Sequence, residues 1–334
     1  MNPIDDILSQ HSIMLLDGAL ATELEAHGCN LDDPLWSARV LLENPELIYQ
    51  VHSDYFRAGA DCAITASYQA TISGFSARGI QEQEALELIK KTVLLARRAR
   101  DDFWKENIQT NRPKPLVVAS VGPYGAYLAH GSEYVGNYGV TDKTLADFHR
   151  SRMSALIEAG ADLLAFETIP SLQEAKVLDT LLREFPQTYA WLSFSLKNEK
   201  EISEGMKLVE CARVFEKSEQ IVAIGINCAP VTVVTGAIQE LRANTKKPII
   251  VYPNSGETYN PETKTWHGHE QCNALDILSE EWYQAGARLI GGCCRTTPYH
   301  IEGYRTSGVL PSFSIRTKQN SNVMNDNLTF CVFS

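Results

Sequence analysis

Residues 58–68 read AGADCAITASY, a glycine-containing junction followed directly by a short apolar run that includes β-branched residues. Helices often end at glycine because glycine adopts the left-handed backbone conformation at no steric cost. The same junction recurs as AGAD at 159–162 and as AGAR at 285–288, each time just ahead of another apolar run. This repetition predicts helices that end immediately before buried strands, which is the alternation of an α/β fold.

Eight apolar runs of strand length lie along the chain, with helical patterns between them. We expect strands at Ile13–Ala19, Cys62–Tyr68, Leu116–Gly122, Leu163–Thr168, Ala190–Leu196, Val222–Asn227, Pro248–Asn254 and Ala287–Cys293. The clearest helical patterns between them cover Pro45–Ala58, Gln81–Trp104, Thr141–Ala159, Leu172–Glu184 and Asn273–Ala285. Continuous apolar strands are typical of parallel sheets covered on both faces, and eight of them match a closed barrel. The sequence therefore predicts a single (β/α)8 TIM-type barrel.

The C-terminal part of the chain differs from the rest in composition. Residues 1–305 are predicted to form the barrel domain, whereas residues 306–334 are rich in Ser, Asn and Thr and predict a short disordered tail. Gly303, Gly308 and Pro311 interrupt the last helical pattern, so we expect a shortened eighth helix. The final residues, CVFS, formally fit a prenylation box but lack a polybasic stretch, and we interpret them as a chance match.

Composition restricts the class of function. The 334 residues carry a formal net charge of -11 and are 44% hydrophobic, enough for one large core. An acidic chain lacks the basic face that nucleic acids and anionic membranes attract, and no run approaches the ~18 apolar residues of a membrane span. The eight cysteines lack the spacing of a secreted disulfide scaffold. We therefore expect a soluble, cytoplasmic protein that acts on small molecules. The sequence does not fix its oligomeric state, and a monomer is one of the states that it allows.

Three cysteines follow two predicted strands at the end where barrel enzymes place their catalytic groups. Cys228 follows the sixth strand in GINCAP, and Cys293 and Cys294 follow the eighth in IGGCCRT. Strands six and eight flank strand seven, so the three sulfurs can meet, with Gly291 and Gly292 expected to free the backbone. Three thiolates with a fourth position open describe a catalytic zinc site. The alternatives are buried thiols that act as small apolar side chains, or a vicinal disulfide.

The chemistry of such a site follows from its sulfur ligands. An all-sulfur site is electron-rich, so it polarises carbonyl groups poorly but is suited to binding another thiol. A free thiol has a pKa of about 8.5 and is mostly protonated at neutral pH. Coordination removes that proton and leaves a nucleophilic thiolate, which makes alkyl transfer to sulfur the expected reaction.

Motifs at all eight strand ends carry a family resemblance. They are LLDGALATELEAHG, DPLWSARVL, ITASYQATISGF, SVGPYGAYLAHGSEY, FETIP, GINCAP, VYPNSGE and IGGCCRTTP. Together they closely resemble the homocysteine S-methyltransferases of bacteria and plants that use S-methylmethionine, over about residues 13–305. Betaine–homocysteine methyltransferases and the homocysteine-binding part of cobalamin-dependent methionine synthase are similar at a greater distance. The resemblance implies Zn²⁺ held by Cys228, Cys293 and Cys294, with the homocysteine sulfur as the fourth ligand.

The resemblance also implies a site for the amino-acid head of homocysteine. The matching positions for its ammonium and carboxylate groups are Asp17, Gly18, Ser67, Glu167 and Asn227. Two carboxylates facing one ammonium would fix the head of an amino acid, and a glycine amide can approach its carboxylate. The alternatives are a turn-forming role for Asp17 and a structural ion pair for Glu167.

The implied methyl donor is S-methylmethionine, with S-adenosylmethionine as a secondary donor. Aromatic faces stabilise a sulfonium cation without competing as nucleophiles. Trp36, Tyr68, Tyr124 and Tyr127 lie in the matching loops, and ordinary packing is the alternative for each of them. Attack on the methyl carbon releases neutral methionine, so the leaving group needs no general acid.

The sequence also carries other candidate ligands and allows two other functions. His267, His269 and Cys272 lie in a polar segment and are interpreted as ordinary loop side chains rather than metal ligands. One alternative function is a betaine-dependent homocysteine methyltransferase, which differs in its donor pocket. The other is a non-catalytic zinc-storage or thiol-sensor protein, which would give Asp17 and Glu167 no role.

Overall fold

Eight parallel strands form one sheet that curls into a nearly closed barrel surrounded by helices. The computed structural model describes residues 2–29, 37–108, 112–128, 130–256, 258–260, 265–267 and 275–306. The strands are β1 Met14–Leu15, β2 Cys62–Ile64, β3 Leu116–Val121, β4 Leu163–Ile169, β5 Ala190–Phe194, β6 Ile221–Asn227, β7 Ile249–Tyr252 and β8 Ala287–Ile290. Their spatial order is β1-β8-β7-β6-β5-β4-β3-β2, so β2 to β8 follow the order of the chain and β1 pairs with β8. The predicted TIM-type barrel is confirmed.

The helices lie mainly between consecutive strands. They are α1 Pro3–Gln10, α2 Leu20–Ala26, α3 Ser37–Glu43, α4 Pro45–Ala58, α5 Ile72–Ser76, α6 Glu82–Asn107, α7 Tyr124–Leu128, α8 Asp142–Glu158, α9 Leu172–Leu182, α10 Leu208–Phe215, α11 Val231–Arg242, α12 Leu275–Ala285 and α13 Pro298–Thr306. A short 3₁₀ turn covers Ser132–Tyr134, and two small hairpins pair Leu196–Asn198 with Glu201–Ile202 and Thr258–Asn260 with Thr265–His267. Within the described ranges, no helix is both long and apolar enough to cross a bilayer.

The predicted helix-to-strand junctions are confirmed. Gly59, Gly160 and Gly286 have φ values of 117°, 86° and 130°, the left-handed conformation that a helix end favours. Helix α4 has the predicted bounds, whereas α6 runs three residues past its predicted end at Trp104. The prediction erred there because no glycine or proline lies between Trp104 and Pro113, and these residue types are the strongest local signals for a helix end.

Six of the eight strands end earlier than predicted, whereas β6 ends at Asn227 as predicted and β4 runs one residue past its predicted end. The first run forms a ladder only over Met14–Leu15, and the eighth ends at Ile290 rather than Cys293. Beyond these points the backbone leaves regular pairing but keeps single hydrogen bonds, such as Gly292 N to Asp17 O at 3.1 Å. Polar residues that follow the apolar runs therefore belong to the barrel mouth rather than to the sheet.

Alternate strand residues fill the barrel interior. The buried inward set comprises Met14, Leu16, Cys62, Val118, Leu163, Ala165, Trp191, Ala223, Ile250, Tyr252 and Leu289. Ile4 and Ile7 of α1 join this cluster, so α1 covers the N-terminal end of the barrel. Because strand side chains alternate with a period of two, the inward series of β4, β5 and β6 continue to Glu167, Ser193 and Asn227. The same alternation that builds the core thus directs polar groups into the mouth.

The last helix and its seam are formed. Helix α13 continues through Gly303 to Thr306, and β8 pairs with β1 in the register Met14–Leu289 and Leu15–Ile290. Gly303 does not interrupt α13, because one glycine costs only about 1 kcal/mol in a helix interior, and the nine-residue helix ends before Gly308. Gly308, Pro311 and the CVFS ending lie outside the described residues, and the proposed boundary at 305/306 stays a prediction.

The pairing between β1 and β2 is irregular, because the Asp61 side chain replaces part of the backbone hydrogen-bond ladder. The carboxylate of Asp61 accepts a hydrogen bond from Leu15 N at 2.8 Å, and Asp61 N donates to Leu15 O at 2.7 Å. Arg112 lies 3.3 Å from the same carboxylate and compensates its buried charge. Nearer the mouth, Ile64 N donates to Asp17 Oδ2 at 2.8 Å. Two aspartates thus join the strands that close the barrel.

Candidate active site

Three cysteine sulfurs meet at the barrel mouth. Cys228 Sγ lies 3.7 Å from Cys294 Sγ, Cys293 Sγ lies 4.0 Å from Cys294 Sγ, and all three are within 4.8 Å of one another. A tetrahedral ion with metal–sulfur bonds of about 2.3 Å separates its sulfur ligands by about 3.8 Å. A disulfide bond needs about 2.05 Å, and all three cysteines are free. The three thiols therefore could hold one metal ion, and the vicinal disulfide is not formed.

Strand β7 positions the backbone of Cys228 and Cys293 by hydrogen bonds. It lies between β6 and β8, and the backbone at its end accepts one hydrogen bond from each side. Cys228 N donates to Tyr252 O at 3.1 Å, and Cys293 N donates to Pro253 O at 2.7 Å. The sulfurs converge because both cysteine-bearing segments are fixed to the same strand end.

The glycine pair before Cys293 acts by size rather than by flexibility. Neither Gly291 nor Gly292 has a positive φ, so the expected role in freeing the backbone was wrong. A Cβ atom on Gly291 would lie 2.8 Å from Asp17 O, and one on Gly292 would overlap the Thr296 side chain. Among the three cysteines, Cys228 has a left-handed backbone conformation, with φ of 51°. The pair thus permits close approach of the β1 end and of the turn after β8.

The thiols influence one another's ionisation. Hydrogen bonds from the Cys293 and Cys294 thiols lower the pKa of Cys228 well below its usual range. Their hydrogen bonds with Cys228 raise the pKa of Cys293 and Cys294 well above that range. The trio therefore favours one shared negative charge, and a bound cation would let all three thiols lose their protons.

Asp17 presents one satisfied and one unsatisfied oxygen. Its Oδ2 accepts from Ile64 N, whereas its buried Oδ1 has no hydrogen-bond partner although the residue is only 3% exposed. Burial, with a further contribution from the charge of Glu167, raises the pKa of Asp17 well above its usual range. Next to it, a Cβ on Gly18 would lie 2.8 Å from the Tyr55 hydroxyl. A buried unpaired carboxylate oxygen is costly unless a ligand donates to it.

Glu167 ends the inward series of β4 and is buried. Its Oε1 accepts a hydrogen bond from Ser120 Oγ. Burial raises the pKa of Glu167 to about 7, against hydrogen bonds from Ser120 and Tyr252 that lower it, and the charge of Cys228 raises it further. Asp17 and Glu167 are thus two carboxylates in one poorly solvated place, and a cation between them would favour ionisation of both.

Ser67 and Asn227 are largely used by the protein itself. Ser67 Oγ donates to Ser120 O at 2.7 Å. Asn227 Oδ1 accepts from Thr168 N at 2.7 Å and from Ser193 Oγ at 2.8 Å, while its Nδ2 donates to Thr168 Oγ1 at 2.8 Å. Thr168 has a left-handed φ of 57°, so Asn227 stabilises the strained backbone beside Glu167. One amide hydrogen of Asn227 is left for a ligand.

Tyr124 and Tyr127 belong to an aromatic cluster with Phe148 of α8. The ring centroids of Tyr124 and Phe148 lie 5.0 Å apart, those of Tyr127 and Phe148 5.5 Å, and those of the two tyrosines 5.8 Å. These separations are typical of packed aromatic pairs. These contacts favour the alternative that Tyr124 and Tyr127 are packing residues.

Tyr68 packs against Gly122, directly after the end of β3. Its ring packs so closely on Gly122 that a Cβ there would lie 2.7 Å from ring atoms. Arg152 donates to Gly122 O at 2.7 Å and to Tyr68 O at 3.3 Å, which fixes both segments from behind. Trp36, the fourth predicted aromatic residue, lies outside the described residues, as do His269 and Cys272.

The segment after α7 contributes residues that the sequence analysis missed. The Tyr134 hydroxyl lies 3.1 Å from Cys228 Sγ. Beside it, Glu133 Oε2 is buried without a hydrogen-bond partner, while Ser195 Oγ donates to Glu133 O at 2.9 Å. Both residues stand in the quoted stretch SVGPYGAYLAHGSEY, but a long irregular connection after β3 gives no periodicity from which to place them.

The fold and the three converging cysteines together define a barrel enzyme with a candidate metal centre at the C-terminal ends of its strands. The family model described as homocysteine S-methyltransferase matches residues 14–307. The chain belongs to the homocysteine S-methyltransferase family, and it is accordingly a methyltransferase that acts on homocysteine.

Named relatives and solved structures agree with this assignment. The chain is 58% identical over 303 residues to homocysteine S-methyltransferase YbgG of Bacillus subtilis, covering 90% of this chain and 96% of the relative. It is 53% identical over 301 residues to the homocysteine S-methyltransferase of Escherichia coli, with the same coverage. The metallated form of the Escherichia coli homocysteine methyltransferase MmuM superposes with a TM-score of 0.82 at 50% identity, covering 90% of this chain and 98% of MmuM.

Proposed function

We propose that this enzyme uses Zn²⁺ to transfer a methyl group from S-methylmethionine to the thiol of L-homocysteine, with S-adenosylmethionine as a secondary donor and methionine as the product. The observation that carries the proposal is the convergence of the Cys228, Cys293 and Cys294 sulfurs, with Cys294 Sγ 3.7 Å from Cys228 Sγ and 4.0 Å from Cys293 Sγ. These separations fit three corners of a tetrahedral ion.

Zinc is the metal that the donor set supports best. Soft thiolate ligands favour zinc over magnesium, calcium and manganese, and three protein ligands leave a fourth position for a substrate atom. When bound, Zn²⁺ lowers the pKa of a coordinated thiol and supplies a nucleophilic sulfur at neutral pH. Three free thiols also require a reducing compartment, and we propose the cytoplasm.

The amino-acid head of homocysteine is proposed to lie between Asp17 and Glu167. The unpartnered Asp17 Oδ1 and the poorly solvated Glu167 both gain from an ammonium group, because it supplies hydrogen-bond donors and a compensating charge. The amide of Gly18 is proposed to donate a hydrogen bond to the substrate carboxylate. Ser67 and Asn227 are proposed to complete this pocket, Asn227 through its remaining amide hydrogen.

The donor is proposed to approach from the segment that carries Glu133. The buried, unpartnered Oε2 of Glu133 offers a counter-charge to a cationic donor, and the protein as a whole carries a net charge of -11. Tyr68, whose ring packs on Gly122 at the barrel mouth, is proposed to face the sulfonium, and Trp36, Tyr124 and Tyr127 are proposed to line the rest of the donor pocket. The leaving methionine is neutral, so no residue has to protonate it.

A donor panel tests the proposal directly. Purified protein loaded with Zn²⁺ is incubated with homocysteine and S-methylmethionine, S-adenosylmethionine or betaine, and methionine is quantified. We expect the highest kcat/KM with S-methylmethionine. Higher turnover with betaine would replace this proposal by the betaine-dependent alternative. The storage or sensor alternative gives no role to Asp17, and its unsatisfied buried oxygen argues against that function.

A further inference from the structure

Tyr134 contacts one of the three converging cysteines from a distant part of the chain. It ends the 3₁₀ turn Ser132–Tyr134 that follows α7, yet its hydroxyl lies 3.1 Å from the sulfur of Cys228 at the end of β6. Tyr134 as a whole residue is 43% exposed, although its hydroxyl lies against the sulfur. The contact therefore joins the loop after β3 to the candidate metal centre.

The turn that carries Tyr134 is held in place by its neighbours. Ser195 Oγ, at the end of β5, donates to Glu133 O at 2.9 Å. Gly136 N donates to Ser132 O at 2.9 Å, and a Cβ on Gly125 would lie 2.6 Å from Glu133 N, so α7 packs directly against the turn. The position of the Tyr134 hydroxyl is thus set by backbone contacts rather than by the sulfur alone.

The direction of the hydrogen bond follows from chemistry. A cysteine that binds a metal ion has lost its proton and can only accept a hydrogen bond, whereas a tyrosine hydroxyl can donate one. We propose that Tyr134 is a positioning residue that donates a hydrogen bond to the metal-bound thiolate of Cys228 and so tunes the metal centre. This inference rests on the proposed metal-dependent function, which does not itself involve Tyr134.

The hydrogen bond has two consequences for the centre. It orients the Cys228 ligand, which helps the protein to retain the ion, and it withdraws charge from the sulfur. The ion then attracts the sulfur of homocysteine more strongly. Partners that orient and hydrogen-bond metal ligands typically contribute 10–100-fold to metal affinity or activity.

The test compares Tyr134→Phe with a matched control, Tyr49→Phe. The Tyr49 hydroxyl also makes one hydrogen bond, to Asp102 Oδ2 at 3.3 Å, but it joins the outer helices α4 and α6. Each full-length protein is loaded with Co²⁺, and its sulfur-to-cobalt charge-transfer band and its loss of metal to a chelator are recorded. We expect a shift of the band to longer wavelength and about tenfold weaker metal retention in Tyr134→Phe only.

Two further results make the outcome decisive. Tyr134→Leu also lacks a donor, so it must reproduce the band shift if Tyr134→Phe is poorly folded. A band and a metal retention equal to the wild type in folded variants would overturn the role of Tyr134 while leaving the proposed function intact. Failure of the wild-type protein itself to bind Co²⁺ through sulfur would overturn the proposed metal centre and this inference with it.

Discussion

Replacing Glu167 by glutamine tests the proposed ammonium site with little change of shape. The carboxylate oxygen that accepts from Ser120 Oγ becomes an amide oxygen that can still accept, so the barrel should keep its fold. The residue is only 7% exposed, so solvent screens its charge weakly. A hydrogen bond to a charged group contributes about 1.5–3 kcal/mol, which corresponds to about a 10–150-fold loss in kcat/KM for homocysteine.

The pH dependence of the same variant gives a second readout. The pKa of Glu167 is raised to about 7 by burial, so in the free enzyme this carboxyl gains a proton as the pH falls through about 7. Ammonium binding needs the ionised form, and kcat/KM for homocysteine should fall by up to about tenfold per pH unit below that value. Asp17, which shares the site, contributes its own titration, so Glu167→Gln should show a shallower acidic limb rather than none.

The free energy of unfolding should depend on pH in the opposite direction to kcat/KM. Because the pKa of Glu167 in the folded protein exceeds the ordinary value of 4.5, the folded state binds more protons than the unfolded state between that value and about 7. The contribution of Glu167 to the free energy of unfolding is full below 4.5 and is lost as the pH rises through about 7. Glu167→Gln should remove this slope, as chemical denaturation at several pH values would show.

The assay is methionine formation at saturating S-methylmethionine with homocysteine varied between about pH 5 and 8. The KM for the donor serves as the internal control, because Glu167 is proposed to contact homocysteine alone. An unchanged homocysteine dependence in the glutamine variant, at every pH, would refute the reasoning and remove Glu167 from the site.

Three further changes probe other parts of the account. Alanine at Cys228, Cys293 or Cys294 should abolish metal retention and turnover while circular dichroism stays native, and an active metal-free variant would contradict the mechanism. Glu133→Gln should raise the KM for S-methylmethionine severalfold with kcat and the homocysteine KM preserved; equal effects on both substrates would argue against a donor-specific charge. Asn227→Ala should lower the free energy of unfolding by about 3 kcal/mol, since three buried hydrogen bonds are lost, and a loss under about 1 kcal/mol in denaturant titrations would contradict this.

The barrel could be predicted because its signals are local. Junctions such as AGAD at 58–61 place a glycine where a helix ends, and the apolar runs that follow mark buried strands. The convergence of Cys228 with Cys293 follows from parallel strand order alone, because strand ends meet at one rim. Local pattern and topology were sufficient for these features.

Other features depend on contacts between distant segments, which one sequence does not reveal. Tyr134 reaches Cys228 across 94 residues through a connection without periodicity. Asn227 was expected only as a substrate ligand, yet its amide holds the left-handed backbone of Thr168, a conformation that no local signal predicts. Gly291 avoids a collision with the β1 end, and this can be recognised only when both strand ends are in place.

X-ray absorption at the metal edge, recorded before and after addition of homocysteine, tests the central claim most directly. The account predicts three metal–sulfur bonds of about 2.3 Å in the loaded protein and a fourth when homocysteine is present. Fewer than three sulfur ligands, or a spectrum that homocysteine leaves unchanged, would contradict a cysteine-held ion that binds the substrate thiol.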